Sequence, residues 1–412
     1  MFKLDNKRNL KIMNSGKKNF NVLLKDVFSS EWRYGTKILY LGILSSFSLI
    51  LIYNLSKGYV MSPDSHGYSR WADELINLNL NLKAYYSENT FIAPKFLYTI
   101  PVILVTLSKL LFGSGWQNAF MFFNLIFVFF SLILFSKGLL LLKVRPLAIA
   151  FAMPLLTLSF DLLLWPKYIL TDTVFSFLIM LLVYFVIKSI VDEKFYYLYL
   201  IFFIILLLVT RPSSLPYIFA VVVFILFIKF KINFNPKIII SIFIFLFVLI
   251  PFCFAILFQF MEIYLSGTRK ADYLIGMVKE GMIIRNRPET YLESPETFID
   301  IFVLYFVRLV YFFSPYTKNF SLVHIILNTL QTFVVFSSII IWSFFGKKNF
   351  FINKTVGLIL IISISVAAFH SFMLIDYDWR FRFPIIIPLL MFFPISLEII
   401  LRRMTNEGSK NK

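Results

Sequence analysis

Residues 237–260 read KIIISIFIFLFVLIPFCFAILFQF, and from Ile238 to Phe260 no charged side chain occurs. A helix rises about 1.5 Å per residue, so such a stretch covers the roughly 30 Å of a bilayer's hydrocarbon core. It does not alternate apolar with polar, as a strand of an outer-membrane barrel would. Eleven more apolar runs surround it, at 37–57, 95–112, 117–136, 146–165, 173–190, 195–210, 213–230, 298–316, 320–345, 355–374 and 383–401. The 412 residues are 59% hydrophobic and only 15% charged, with mean hydropathy +0.81, where soluble domains are about 25% charged. The fold class is therefore all-α, a polytopic helical membrane protein. Nothing in it reads as a soluble domain, an internal repeat or a low-complexity tract.

Charge decides which runs cross. The tail 1–36 is basic, as are the stretches around Lys143/Arg145, Lys188/Lys194, Lys229/Lys231/Lys237, Lys347/Lys348/Lys354 and Arg402/Arg403. Basic loops belong on the cytoplasmic side. All of these share that side only if 95–112 and 298–316 do not cross. The second of these holds Asp300 and Arg308, each costing about 2.5–3.5 kcal/mol at mid-membrane on insertion scales. Both are expected to be juxtamembrane or re-entrant helices. The expectation is then about ten spans (ten by this count), 37–401 as one multi-span domain, and both termini cytoplasmic, including the tail 402–412. It places 24 of the 40 Lys and Arg inside, and 15 of the 22 acidic residues outside. Two long outer loops, 58–94 and 261–297, are expected to be functional, as loops of that length usually are.

Composition also excludes functions. The net charge of +18 lies in short inter-span loops, not on a basic stripe with interleaved aromatics, so nucleic acid is not an expected partner. The one cysteine, Cys253, permits no internal disulfide or cysteine metal cluster. His66, His324 and His370 are scattered, and the last two sit in apolar runs as packing residues. The basic start of the chain has no short apolar core with a cleavage site, so no signal peptide is expected. No phosphate-cradling Gly loop, HExxH or GxSxG occurs.

The first outer loop opens with Ser62-Pro63-Asp64-Ser65-His66-Gly67-Tyr68-Ser69-Arg70-Trp71-Ala72-Asp73-Glu74-Leu75-Ile76. Tyr68, Trp71, Ala72, Leu75 and Ile76 recur at helical spacing, which predicts an amphipathic helix lying at the membrane surface. Asp64 at its start is either an N-cap or a catalytic carboxylate. Asp161 and Asp172 flank Trp165-Pro166-Lys167-Tyr168, a break between two spans that Pro166 explains. Asp172 is open to the same two readings as Asp64. Arg211-Pro212 ends another span, where Arg211 either snorkels to the headgroups or binds an anion. Asp376, Asp378, Arg380 and Arg382 precede the last span; they pair with one another or serve a ligand.

These segments together resemble the GT-C glycosyltransferases, which include the protein O-mannosyltransferases and the bacterial aminoarabinose transferases. An Asp just after the first span, followed by Tyr68 and Ala72 on a juxtamembrane helix, resembles that family's first outer loop. Ala93-Pro94-Lys95-Phe96-Leu97-Tyr98 resembles its Lys-Pro-Pro-Leu-Tyr-like segment, with the order of Pro and Lys changed. Leu111-Phe112-Gly113 and Leu170-Thr171-Asp172-Thr173 resemble its next two motifs, and Arg380 to Pro384 with Pro388 its late Arg- and Pro-containing segment. The resemblance implies a GT-C-like fold and an extracytoplasmic site in the plasma (inner) membrane. Sugar would pass from a polyprenyl-phosphate donor, its tail in membrane lipid, to an envelope glycan, lipid or protein acceptor. Asp64 would be the base, and Asp172 would orient the acceptor or hold a metal. Lys95, Arg211, Arg380 and Arg382 would bind the carrier phosphate. His66, Tyr68 and Asp161 complete the expected site. No cofactor is required, although a divalent metal is compatible with the sequence. Arg380 is expected to dominate Arg382 if the last helix begins early; an extended segment would turn Phe381 and Phe383 to lipid. The competing readings are a transporter of lipid-linked oligosaccharide or small solutes, and a surface-polysaccharide polymerase or ligase.

Overall fold

The computed structural model describes residues 31–87, 95–230, 235–318, 320–346, 350–373, 375 and 380–410, all helix, turn and loop apart from two isolated β-bridges. Asp376, Asp378, Pro94, Lys231, Lys347, Lys348 and most of the basic N-terminal tail lie outside the described residues.

The first long helix, α1, spans Glu31–Lys57, some 40 Å of rise. It lies along the segment 146–167, whose two helical halves, Pro146–Thr157 and Phe160–Lys167, meet at 64°. Backbone groups freed at such a break need partners in a dry setting. Ser46 Oγ donates to the Met153 carbonyl (3.2 Å), and Asn54 Nδ2 donates to the Leu163 carbonyl (3.2 Å). Gly42 permits the close approach, because a Cβ there would sit 3.2 Å from Met153.

Helix α2 (Pro63–Asn77) precedes α3 (Thr99–Phe112), which turns at Gly113 (φ +53°) into α4 (Trp116–Leu141). Then come α5 (Asp172–Val191), α6 (Tyr197–Leu208), α7 (Leu215–Lys229) and α8 (Pro236–Tyr264). Helices α9 (Arg269–Lys279) and α10 (Phe298–Tyr311) lead to α11 (Leu322–Phe345) and α12 (Phe350–Met373). The chain ends with α13 (Phe383–Leu390) and α14 (Phe392–Lys410). Helix α8, the most apolar, is peripheral: 11% of its apolar window is buried, against 78% for the last span. A helix that keeps its apolar side chains outward is suited to lipid, and Cys253 is exposed on it.

Among the described residues eight helices are long and apolar enough to cross a membrane, or nine if the broken segment 146–167 is one span. Nine of the ten runs expected to cross are among them, the broken segment included. The tenth is α6, whose 12 helical residues rise only about 18 Å, yet the chain beyond it brings Arg211 back to Asp172 at the start of α5. The two runs expected not to cross form 14-residue helices, α3 and α10. Helix α3 is continuous in apolarity with α4 and packs beneath α2. Helix α10 leans on α8 and buries Arg308 completely. The cost of that cation is offset by three carbonyls: Arg308 donates to Met282 (2.7 Å), Met277 (3.3 Å) and Ser371 (3.4 Å).

The described bundle has two distinct ends. At one, Gly35 abuts Pro146, Arg145 and Arg402 both bind the Glu398 carboxylate, and Arg402 donates to the Lys143 carbonyl. At the other, the connections after α1, before α5 and before α13 converge. Val60 N donates to the Lys167 carbonyl (2.9 Å) and Ile169 N to the Val60 carbonyl (3.2 Å); Arg285 N donates to the Ile375 carbonyl (2.9 Å). The described members of the basic set expected to share one side, Lys143, Arg145, Lys188, Lys229 and Arg402 among them, thus gather away from Asp64, Arg211 and Arg380.

Candidate active site

The site grows from the start of α2. The bridge at Val60 fixes where the chain leaves α1. Ser62 is then the N-cap, and its Oγ accepts from Ser65 N (3.3 Å) while Ser62 N donates to Ser65 Oγ (2.9 Å). This capping box settles one open question: Asp64 is not the N-cap, since Ser62 satisfies those amides. The Asp64 carboxylate instead meets the Arg380 guanidinium at 2.8 Å, with 46% and 22% of the two side chains exposed. The apolar face of α2 is as expected, with Tyr68, Trp71, Ala72 and Leu75 buried. It packs on protein, Tyr68 and Trp71 meeting the Tyr98 ring at 6.0 and 5.6 Å. Burial pushes the Tyr68 hydroxyl far above its ordinary pKa, so it is a neutral donor throughout the working range.

Two cavities open at this end of the bundle. The larger, about 850 Å³, is walled by α2 (Asp64, His66, Tyr68, Arg70, Trp71), Tyr98, Arg211, Arg285, His370, Arg380 and Phe381, among others. The smaller, about 530 Å³, lies between Asp64, Asp161, Trp165, Tyr168, Phe320 and His324. Pro63, Asp64, Arg285 and Arg380 line both, so the Asp64–Arg380 ion pair stands in the wall between them. Compared with protein-family models, with curated proteins and with solved structures, the chain matches none.

Arg380–Arg382 forms a 3₁₀ turn that runs into α13. Residues two apart on such a turn diverge. Arg380 therefore faces the cavities, while Arg382 is buried behind them and donates to the Ser314 carbonyl (2.8 Å). Phe381 and Phe383 do not turn to lipid, because the segment is helical. Phe381 lies under both Arg211 (4.5 Å) and Arg380 (5.4 Å) and stacks on His370 (4.3 Å); Phe383 is buried.

Of the remaining expected residues, Arg211, His66 and Tyr68 reach the larger cavity and Asp161 the smaller. Asp172 lines neither: it is the first residue of α5, buried, and ion-paired with Arg211, which it holds against the cavity wall. Lys95 lines neither as well. It is buried against Glu74 and the face of Tyr85, on another side of α2. No group of three His, Cys, Asp or Glu among the described residues could hold a metal ion.

Arg70, Arg285, Trp165, His324, His370 and Phe381 were not expected in the site. Arg285 stood among the many charges of loop 261–297 with no local signal to single it out. Its position comes from the bridge to Ile375 and from Gly281 (φ +67°), where a Cβ would lie 2.3 Å from the Leu292 carbonyl oxygen. His324 is held between Phe160 (3.8 Å) and Phe320 (3.6 Å), which sets one ring edge of the smaller cavity.

Proposed function

We propose that the protein is a GT-C-like membrane glycosyltransferase that uses a polyprenyl-phosphate sugar on the extracytoplasmic side. One observation carries the reading: a carboxylate–guanidinium pair, Asp64 with Arg380, in the wall shared by two cavities. Group transfer between two bulky substrates needs a base and an anion-binding cation where their pockets meet. Each substrate then occupies its own cavity, with the reacting atoms at the wall.

In this reading the donor enters the larger cavity, where Arg211, Arg285 and Arg380 gather. Asp64 takes the proton from the acceptor hydroxyl as its oxygen bonds to the anomeric carbon. The bond from that carbon to the phosphate oxygen breaks, and the carrier phosphate leaves with the electron pair. Cations fixed where that charge develops lower the barrier, and an Arg fork can engage two phosphate oxygens at once. Asp172 acts through Arg211, as a positioning residue. The basic excess of the loops at the opposite end supports a cytoplasmic assignment for that end.

The test is transfer of labelled sugar from defined polyprenyl-phosphate donors to extracted envelope acceptors in proteoliposomes. Asp64→Asn should lower the rate about 10²–10⁴-fold while the protein still inserts and extracts normally. Near-normal transfer by that variant would sink the catalytic assignment. Movement of the lipid-linked sugar across the bilayer without transfer would favour a transporter instead.

A further inference from the structure

We infer that the smaller cavity is a saccharide site, so that the acceptor hydroxyl belongs to a sugar ring rather than to a seryl side chain or an amino-lipid. The inference rests on the transferase reading for its direction of transfer, and on the cavity alone for its ligand.

Asp161 is 4% exposed and lines this cavity. Its Oδ1 accepts from Trp165 Nε1 (3.2 Å), and its Oδ2 has no hydrogen-bond partner. A buried carboxylate oxygen without a donor is costly, and a ligand that supplies hydroxyl donors relieves the cost. Beside the wall of Pro63, Asp64, Arg285 and Arg380 that it shares with the larger cavity, the lining carries aromatic rings: Trp165 and Tyr168 (ring centroids 5.3 Å apart), and His324 stacked on Phe320. A pocket that pairs ring faces with a few polar groups suits a ligand having both apolar and hydroxylated surfaces. A sugar ring has both.

The alternatives fit less well. A seryl side chain brings one hydroxyl, which Asp64 would consume as base, so only a backbone N–H of the acceptor peptide would remain for Asp161 Oδ2. An ammonium group could pair with Asp161, but it would share the cavity with Arg285 and Arg380. A sugar ring offers one hydroxyl to Asp64 and others to Asp161.

The experiment is equilibrium binding to the full chain in lipid nanodiscs without donor, read by tryptophan fluorescence and saturation-transfer NMR. Maltoside detergents are avoided because their headgroups are sugars. The probes are soluble trisaccharides of glucose, mannose and N-acetylglucosamine, a short glycolipid in the disc, a serine-rich peptide and phosphoethanolamine. A trisaccharide or the glycolipid should bind; which of the two binds more tightly tells whether the natural sugar is free or lipid-borne. Asp161→Asn, which keeps size and shape, should weaken that binding at least tenfold, and His324→Leu should weaken it without touching Asp161. Binding of the peptide or phosphoethanolamine in place of every saccharide overturns the inference. So does saccharide binding that neither variant changes, or no saccharide binding at all. A protein that binds saccharide yet transfers none would count against the transferase reading alone. One that transfers to peptide would count against this inference alone.

Discussion

At the scale of single residues, the site depends on which cation meets which carboxylate. Arg380 and Arg382 are near neighbours in the chain, yet only Arg380 reaches Asp64 and the cavities. Arg380→Lys should impair donor affinity and turnover together, because an ammonium cannot reproduce a two-pronged contact. Arg382→Lys should chiefly lower thermal stability, since that side chain serves a buried carbonyl of the chain. Steady-state kinetics and melting of both variants check this; equal kinetic loss in the two would place the phosphate elsewhere. The buried pair Arg211–Asp172 makes a separable prediction. Removing one partner of such a pair leaves an uncompensated charge, costing about 3–5 kcal/mol. Asp172→Asn should therefore destabilise the protein strongly, and Asp172→Asn with Arg211→Met should recover much of the melting temperature. The double variant should remain impaired in transfer, since Arg211 also lines the larger cavity, the one proposed for the donor. Recovery of both properties would leave Arg211 with no part in binding the carrier.

At the scale of elements, much was legible. The amphipathic spacing of α2, the Pro166 break and the Arg211-Pro212 turn all reflect local chemistry, and they stand where the sequence put them. Lys95 shows the opposite. It lies near the motif residues in sequence, but α2 turns its Glu74 face toward Lys95 and its Asp64 end toward Arg380. Arg285 was illegible because a backbone bridge to Ile375, 90 positions away, aims it. The turn at Gly281 offers a test of that device. Any Cβ at φ +67° would meet the Leu292 carbonyl oxygen at 2.3 Å, so the loop must shift. Gly281→Ala should lower transfer several-fold with wild-type insertion, through displacement of Arg285, and added Arg285→Ala should cost little more. Full additivity of the two losses would show that the turn and Arg285 act independently.

At the scale of the whole molecule, the arrangement of the two ends makes a topology testable with few probes. In a Cys253→Ser background, single cysteines at Lys83 and Lys270 should react with an impermeant reagent from outside intact cells. Cysteines at Lys194 and Lys229 should react only after permeabilisation. Labelling of Lys194 and Lys270 positions from the same side would break the proposed topology and the site assembled on it.

Membrane residence and helical class were determined by the sequence alone, because run length and the absence of charge act locally, one helix at a time. So were the separation of basic loops from the carboxylate-bearing ones and the candidacy of Asp64, Tyr68, Arg211 and Arg380. Only the tertiary structure decided the number of long helices, since α6 stops after 12 residues. It alone also showed that Asp172 serves Arg211, and that two cavities meet at Asp64 and Arg380. Those facts depend on which surfaces face each other after the helices pack, and side-chain spacing along one helix carries no record of its neighbour.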